Sequence, residues 1–295
     1  MKTLVTPQEK YPQLAKTLGI DALYFKREDL HPYQSHKGRS IPVMIDEYVA
    51  QGDRRFAISS SGNAALAATL HIQKLNSTRI EGESINLEVY VGIHIDKDKL
   101  DLLKSYADSN IRVLSKERPL QAVTLASGEG VRSLRQSTDD LALKGYEVLA
   151  EEIASTKDVG AVFVASSSGT TAQALAEYFL AHSLPIQVHL VQTTSCHPFA
   201  DDFELFEGTA EPSIADAIIG QSSPRRPHVV SATRKSGGFG WIATNNEIQT
   251  AQELTEKHAS ISLSTNSALA VAGVMQAVYR SWDFGGAVVC IIGGR

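Results

Sequence analysis

The sequence predicts an α/β fold built on helix-covered, mostly parallel sheets. Three observations predict it. Short apolar runs recur along the chain, such as Ala161-Val162-Phe163-Val164-Ala165 and Ala287-Val288-Val289-Cys290-Ile291-Ile292. Longer amphipathic stretches separate them, and unbroken apolar strands alternating with helices are the pattern of a parallel sheet covered on both faces. The length, 295 residues, corresponds to about two domains or one large α/β unit.

The elements follow in order. Tyr24-Phe25 forms a short strand that runs into charged residues. Ile41, Met44, Ile45 and Tyr48 keep a helical spacing. Phe56-Ala57-Ile58 is a strand, followed by an alanine-rich helix through Leu66 and Leu70. Leu87, Val89, Val91 and Ile93 alternate around Tyr90 as a mostly buried strand. Leu100, Leu103 and Tyr106 mark a helix, and Ile111-Arg112-Val113-Leu114 is a short extended run. After the 161–165 strand come a helix carrying Leu175 and Phe179 and the strand Gln187-Val188-His189-Leu190-Val191. Ser264-Thr265-Asn266-Ser267-Ala268-Leu269-Ala270 opens a helix of small residues, and the 287–292 strand comes last.

Composition excludes several classes. Hydrophobic residues make up 43% and charged residues 21%, enough apolar surface for a packed core and too much for a chain disordered throughout. No apolar run approaches the roughly 20 residues of a membrane span. The start, Met1-Lys2-Thr3-Leu4-Val5-Thr6-Pro7, is polar and charged, which speaks against a signal peptide. Cys196 and Cys290 are the only two cysteines, too few for a disulfide framework and consistent with a cytoplasmic setting. A net charge of −5 argues against a nucleic-acid partner. No fixed-period repeat and no low-complexity linker is present.

In open α/β sheets ligands bind beyond the carboxyl ends of strands, so chemistry is sought in strand-to-helix turns. Lys26-Arg27-Glu28-Asp29-Leu30-His31-Pro32-Tyr33-Gln34-Ser35-His36-Lys37 leads into the first long helix. A cation at a helix start is not favoured by the helix dipole, which suits a lysine nucleophile; the other reading is a solvated surface lysine. Ser59-Ser60-Ser61-Gly62-Asn63 ends a strand and opens a helix. Its small hydroxyl residues and glycine leave backbone N–H groups for an anion, or they form an ordinary cap. Ser166-Ser167-Ser168-Gly169-Thr170 repeats that chemistry after the next strong strand; hydroxyls, N–H groups and the dipole together suit a phosphate. No Gly-x-x-x-x-Gly-Lys-Ser/Thr, no Gly-x-Gly-x-x-Gly after the first strand, no metal-type His or Cys spacing and no Gly-x-Ser-x-Gly elbow is present. No metal is therefore expected.

Together these segments resemble the pyridoxal-phosphate enzymes related to tryptophan synthase β, threonine synthase, serine/threonine dehydratase and cysteine synthase, with threonine synthase nearest in pattern. Lys26 to Leu30 followed by Ser35-His36-Lys37 is similar to the cofactor-lysine motif, Ser60-Ser61-Gly62-Asn63 to the Ser-Gly-Asn loop, and Ser166 to Thr170 occupies the place of the glycine-rich phosphate loop. Ile214 to Ile218, Ala243 to Leu254 and Ser264 to Ala272 match in order as well. The resemblance implies a smaller domain at 41–145, a larger one formed by 1–40 and 146–295, and pyridoxal 5'-phosphate in the cleft between them. It implies Lys37 as the Schiff-base and catalytic lysine, Asn63 at the cofactor's phenolic oxygen, and Ser166, Ser167, Ser168, Gly169 and Thr170 around the phosphate. Ser60, Ser61 and Gly62 would hold the carboxylate of a small amino-acid substrate. The implied activity is β- or γ-elimination or replacement, and the implied assembly a homodimer.

Three features depart from the family pattern. Serines replace the usual glycines of the phosphate loop. Ile292 or Gly293 stands where a Ser, Thr or Cys commonly meets the pyridine nitrogen, which raises a catalytically impaired cofactor-binding or interaction protein as the alternative. Leu263-Ser264-Thr265-Asn266 replaces a usual Glu-Pro lead-in. The matching segments run from about residue 23 to the chain's end, where Arg295 follows Gly293-Gly294 directly, so no added regulatory domain is expected.

Overall fold

A computed structural model of the protein describes residues 5–80 and 82–294; the first four residues of the polar start and Arg295 lie outside the described residues. The chain begins with β1 (Gln8–Lys10), α1 (Pro12–Leu18) and β2 (Leu23–Lys26). It continues through α2 (Lys37–Ala50), β3 (Arg55–Ser59), α3 (Asn63–Asn76), β4 (Asn86–Gly92), α4 (Lys97–Ser105), β5 (Ile111–Lys116), α5 (Pro119–Gly128), β6 (Arg132–Ser133) and α6 (Leu141–Lys144). The last part holds α7 (Glu147–Ala154), β7 (Val159–Ala165), α8 (Thr170–Ala181), β8 (Gln187–Thr193), α9 (Arg226–Lys235), β9 (Gly240–Ala243), α10 (Asn245–Ala259), α11 (Thr265–Tyr279) and β10 (Ala287–Ile291). Each apolar run read from the sequence is thus a strand or a helix. Ile93 is an exception: β4 ends at Gly92, and Ile93 is exposed in the turn that follows.

The chain divides into two compact units, Met1–His31 with Tyr146–Arg295, and Pro32–Gly145. The smaller unit therefore begins at Pro32, and Lys37 belongs to it. Close packing between α2 and α6 explains this division. The Ser40 hydroxyl donates to Ala142 O at 2.8 Å and accepts from the Gln136 side-chain amide at 2.8 Å. A Cβ on Gly145 would lie 2.4 Å from Ser40 Cα, so glycine is what permits this approach. The smaller unit's sheet has the order β5-β4-β3-β6, and every pair is parallel. Ile41, Met44 and Ile45 of α2 and Ala65, Ala68 and Ile72 of α3 pack in one core with Ile58, Val89 and Ile111 of the sheet.

The larger unit's sheet runs β1-β2-β10-β7-β8-β9; β1 pairs antiparallel with β2, and the rest are parallel. β10 and β7 are neighbours, with Cys290 opposite Phe163. Their carboxyl ends therefore deliver Ile292-Gly293-Gly294 and Ser166-Ser167-Ser168 to the same edge of the sheet. α11, almost entirely Ala, Val and Leu on its buried face, packs against β7, β8 and β9. The charged stretch after β2 is held internally. Lys26 is 1% exposed, with its ammonium paired to Glu152 and donating to Thr6 O at 2.8 Å. Arg27 clasps Asp29 at 2.8 Å and Glu9 at 3.1 Å.

An aromatic cluster in the larger unit contains His189 of β8. Its ring stacks on Phe163 at 4.4 Å, and Trp282 meets it edge-on at 5.3 Å. Trp241 Nε1–H donates to His189 Nδ1 at 3.1 Å, so the neutral ring carries its proton on Nε2 and gives it to Gln187 Oε1 at 3.0 Å. Burial pushes this imidazole down to a pKa of about 3. The unfolded chain then binds a proton that the folded chain refuses between pH 6.5 and 3. Stability from this group is full above pH 6.5 and is lost as pH falls, at about 1.4 kcal/mol per pH unit. Urea unfolding at pH 7.0 and 5.5 is expected to show a smaller loss for His189→Phe than for the wild type; equal losses would contradict this account.

Candidate active site

Within the smaller unit, the segment ahead of α2 turns sharply. Gln34 adopts a left-handed conformation at φ 61°, a costly backbone state outside glycine and one that collects at functional sites. Ser35 is fully buried, and its hydroxyl has no hydrogen-bond partner among the described residues. Buried polar atoms are normally satisfied, so this hydroxyl marks a place built for a further polar group. Lys37 is the first residue of α2 and is half-buried. No hydrogen bond or ion pair holds its Nζ among the described residues. Pro42 inside α2 has no N–H, so the carbonyl of Gly38, four residues earlier, receives no helical hydrogen bond from it.

β3 delivers the second segment. Ser60, Ser61, Gly62 and Asn63 are all half-buried. Gly62 is the N-cap of the 14-residue α3 and provides no side-chain cap. Its N–H donates to Ser60 Oγ at 3.2 Å. The opening N–H groups of α3 thus lack a capping side chain, the condition under which a helix start takes an anion.

In the larger unit, β7 delivers Ser166 to Thr170. The three serines differ in what their hydroxyls do. Ser166 is buried and turns its hydroxyl to Val164 O at 3.3 Å. Ser167 Oγ accepts the Gly220 N–H at 3.3 Å, which leaves its own proton to donate elsewhere. Ser168 Oγ and Thr170 Oγ1 lie 2.9 Å apart. Gly169 is the N-cap of α8 at φ 76°, and an added Cβ would meet Val229 Cγ2 at 2.5 Å and Phe199 Cζ at 3.1 Å. The positive φ and the close Val229 and Phe199 side chains both call for glycine at this start.

The stretch from Gly220 to Arg225 straps this loop. Ser223 Oγ donates to Ser168 O at 3.1 Å, and Arg225 N–H donates to Ser223 Oγ at 3.2 Å. Arg225 is 5% exposed and reaches Gln173 Oε1, one turn into α8, at 3.4 Å. Sequence reasoning missed this strap, because Gly220-Gln221-Ser222-Ser223 has neither period nor motif.

The stretch beyond β10 is bound through its backbone. Ile292 N–H donates to Lys26 O at 3.0 Å, and Ile292 O accepts from Asp29 N–H at 2.9 Å. Ile292 is buried and Gly293 half-buried. Gly294 O accepts both the Ser264 hydroxyl, at 2.7 Å, and the Ser267 hydroxyl, at 2.8 Å. These two serines at the start of α11 serve to hold the chain's final turn. Both cysteines are free and buried, and burial pushes their thiols up, Cys196 to about 11, so neither is a ready nucleophile.

The smaller unit offers an unpartnered lysine amine and a helix start without a capping side chain, and the larger unit offers a helix start with hydroxyl donors. Comparison with known proteins gives this set its context. A family model described as pyridoxal-phosphate dependent enzyme matches residues 2–294. The chain belongs to this family. Its cofactor is accordingly pyridoxal phosphate. Threonine synthase of Methanosarcina acetivorans is 26% identical over 315 aligned residues, covering 98% of this chain and 74% of that one. Among solved structures, a pyridoxal 5'-phosphate-dependent aspartate racemase is similar at TM-score 0.82 and 20% identity, covering 99% of this chain and 90% of that one. The processed form of threonine deaminase isoform 2 from Solanum lycopersicum is similar at TM-score 0.79 and 20% identity, covering 98% and 78%. At these identities the two structures speak for the fold alone.

The residues present fit the family's cofactor. A phosphate ester needs N–H and O–H donors, and the α8 start, which no side chain caps, has the N–H groups and the Ser167 hydroxyl. An aldehyde needs an amine, and Lys37 offers one at the start of α2, two residues after Ser35 and its orphaned hydroxyl.

Proposed function

We propose that the protein is an enzyme acting on a small amino acid by β- or γ-elimination or replacement, in the manner of threonine synthase or a serine/threonine dehydratase. The observation that carries this reading is the half-buried Lys37 amine at the first position of α2, with no partner among the described residues. The relation to a threonine synthase over 98% of the chain supports the choice of reaction class.

In this reading Lys37 is the covalent anchor of pyridoxal 5'-phosphate, which when bound supplies an electron sink for a carbanion at the substrate's Cα. Lys37 Nζ would also serve as the base that takes the Cα proton. Asn63 positions the cofactor's ring oxygen. Ser60, Ser61 and Gly62, with the first N–H groups of α3, take the substrate carboxylate. Ser167, Ser168, Gly169 and Thr170 would hold the phosphate at the start of α8, with Ser167 as the hydroxyl donor that the strap leaves available; buried Ser166, whose hydroxyl and N–H go to Val164 O and Val191 O, would shape the loop rather than donate. Gly293, next to Ile292, would face the pyridine side and has no side chain to donate to that nitrogen. The protein works as a cytoplasmic homodimer, with neither nucleic acid nor membrane among its partners.

A substrate panel tests the reaction. The cofactor-loaded protein is incubated with O-phosphohomoserine, serine, threonine and O-acetylserine, and release of inorganic phosphate, keto acid and acetate is followed. Release of phosphate or keto acid is the expected result. Visible cofactor absorbance without turnover of any of the four would instead favour a cofactor-binding or interaction protein, a reading motivated by the apolar Ile292-Gly293 stretch. Acetate release alone would indicate cysteine-synthase-like replacement.

A further inference from the structure

The smaller unit holds a line of hydrogen bonds that the reading above leaves unused. Tyr33 Oη lies 2.8 Å from His71 Nδ1, and His71 Nε2 lies 2.8 Å from Asp46 Oδ1. The three come from different places: the turn before α2, the middle of α3 and the middle of α2. A carboxylate only accepts hydrogen bonds, so His71 Nε2 carries the proton that Asp46 receives. In the neutral ring Nδ1 then accepts, and Tyr33 O–H donates to it. This is a hydroxyl, imidazole and carboxylate in series, the arrangement by which a base oriented by a third group draws on a hydroxyl.

Exposure gives the line a direction. The Asp46 side chain is 57% exposed and that of His71 only 8%, while Tyr33 is half-buried. The line thus leads from solvent through a buried imidazole to the segment that carries Lys37. Burial, helped by the Asp46 charge, pushes the Tyr33 phenol up, so it keeps its proton at rest and passes protons only when His71 accepts one. Tyr33 is four residues from Lys37, which limits their Cα separation to about 14 Å in a fully extended chain. The bonds Gly38 N–H to Ser35 O, at 3.0 Å, and Arg39 N–H to His36 O, at 3.1 Å, shorten the path further.

We propose that Tyr33, His71 and Asp46 form a proton relay serving the Lys37 site, in which Tyr33 Oη takes a proton from the substrate's α-ammonium as its own proton passes to His71 Nδ1. The inference rests on the Lys37 reading above. An amino acid arrives protonated at nitrogen, and that nitrogen needs its lone pair to act as a nucleophile. In the relay an N–H bond of the substrate breaks and an O–H bond to Tyr33 forms, while the original Tyr33 O–H breaks and an N–H bond to Nδ1 forms. The product is a neutral amine and an imidazolium paired with the Asp46 carboxylate. The Nε2 proton leaves through exposed Asp46 to water; when the product amine departs protonated, the same transfers run in reverse, with Tyr33 giving it a proton, Nδ1 returning one to Tyr33 and Nε2 regaining one from water through Asp46, so the relay is reset and no oxidant, reductant or other co-reactant is required.

Tyr33→Phe keeps the ring and its edge-on contact with His71, and His71→Gln keeps hydrogen bonding but not proton passage. Each is expected to lower kcat/KM by about 100-fold, within the range for a lost acid–base group, while cofactor absorbance and Tm stay at wild-type values. His71→Ala is expected to regain activity with added imidazole, which a purely structural role would not produce. A readout independent of turnover is 15N NMR of histidine-labelled protein without cofactor: His71 should be the Nε2–H tautomer, and Tyr33→Phe should shift its Nδ1 resonance. Wild-type kcat/KM in Tyr33→Phe and His71→Gln, or an Nδ1–H tautomer, would overturn the relay and leave the Lys37 reading intact. A wild type that forms no coloured complex with pyridoxal phosphate would overturn the Lys37 reading itself.

Discussion

Lys37→Ala is expected to abolish turnover, lowering kcat by about 10⁴-fold, the upper end for loss of an acid–base group. In the proposed reading two functions disappear together: the covalent anchor and the amine that moves the Cα proton. The fold should tolerate the change. Lys37 is half-buried, its Nζ holds no partner among the described residues, and alanine is the best helix former at the start of α2. Unfolding of Lys37→Ala should therefore match the wild type within about 0.5 kcal/mol, the range of surface substitutions. A variant that lost activity only because it unfolded would show a lowered Tm and would leave the assignment unsupported.

The second large effect is expected at Gly169. Gly169→Ala forces a side chain into φ 76°, which costs an L-residue about 1–2 kcal/mol. It also drives a Cβ to within 2.5 Å of Val229 Cγ2, an overpacking of about 1–3 kcal/mol. Stability should fall by about 2–5 kcal/mol. Displacement of the α8 start should weaken pyridoxal phosphate at least tenfold while leaving pyridoxal, which has no phosphate, little changed. The double variant Gly169→Ala with Val229→Ala removes the Val229 clash, leaving the 3.1 Å approach to Phe199 Cζ, and should recover part of the stability. Equal weakening of pyridoxal and pyridoxal phosphate would show that the α8 start does not hold the phosphate.

The sheets were legible because buried parallel strands are written as apolar runs: Ala161-Val162-Phe163-Val164-Ala165 and Ala287-Val288-Val289-Cys290-Ile291 need no partner to be recognised. The turns after β3 and β7 were legible for the opposite reason, since serines and glycines interrupt apolar runs where ordinary packing does not require them. β1 left no signal. Gln8-Glu9-Lys10 is wholly polar, and it becomes a strand by pairing at the edge with β2. Lys26 read as part of a charged motif, whereas its ammonium is buried against Glu152, 126 residues away. Contacts at such separations have no local pattern. The same holds for Tyr33, His71 and Asp46, which lie 38 and 25 residues apart along the chain. It holds too for the Gly220–Ser223 strap, whose partners Ser167 and Ser168 are more than 50 residues earlier. The start of the smaller unit at Pro32 is set by Ser40, Ala142 and Gly145, another approach made between distant segments.

The central claim is that Lys37 carries the cofactor. The most direct measurement is to load the protein with pyridoxal 5'-phosphate, reduce the complex with borohydride and locate the pyridoxyl label by peptide mass mapping. One label per chain on Lys37, and none in Lys37→Ala, is the predicted result. A colourless, unlabelled wild type, or a label on a different lysine, would contradict it.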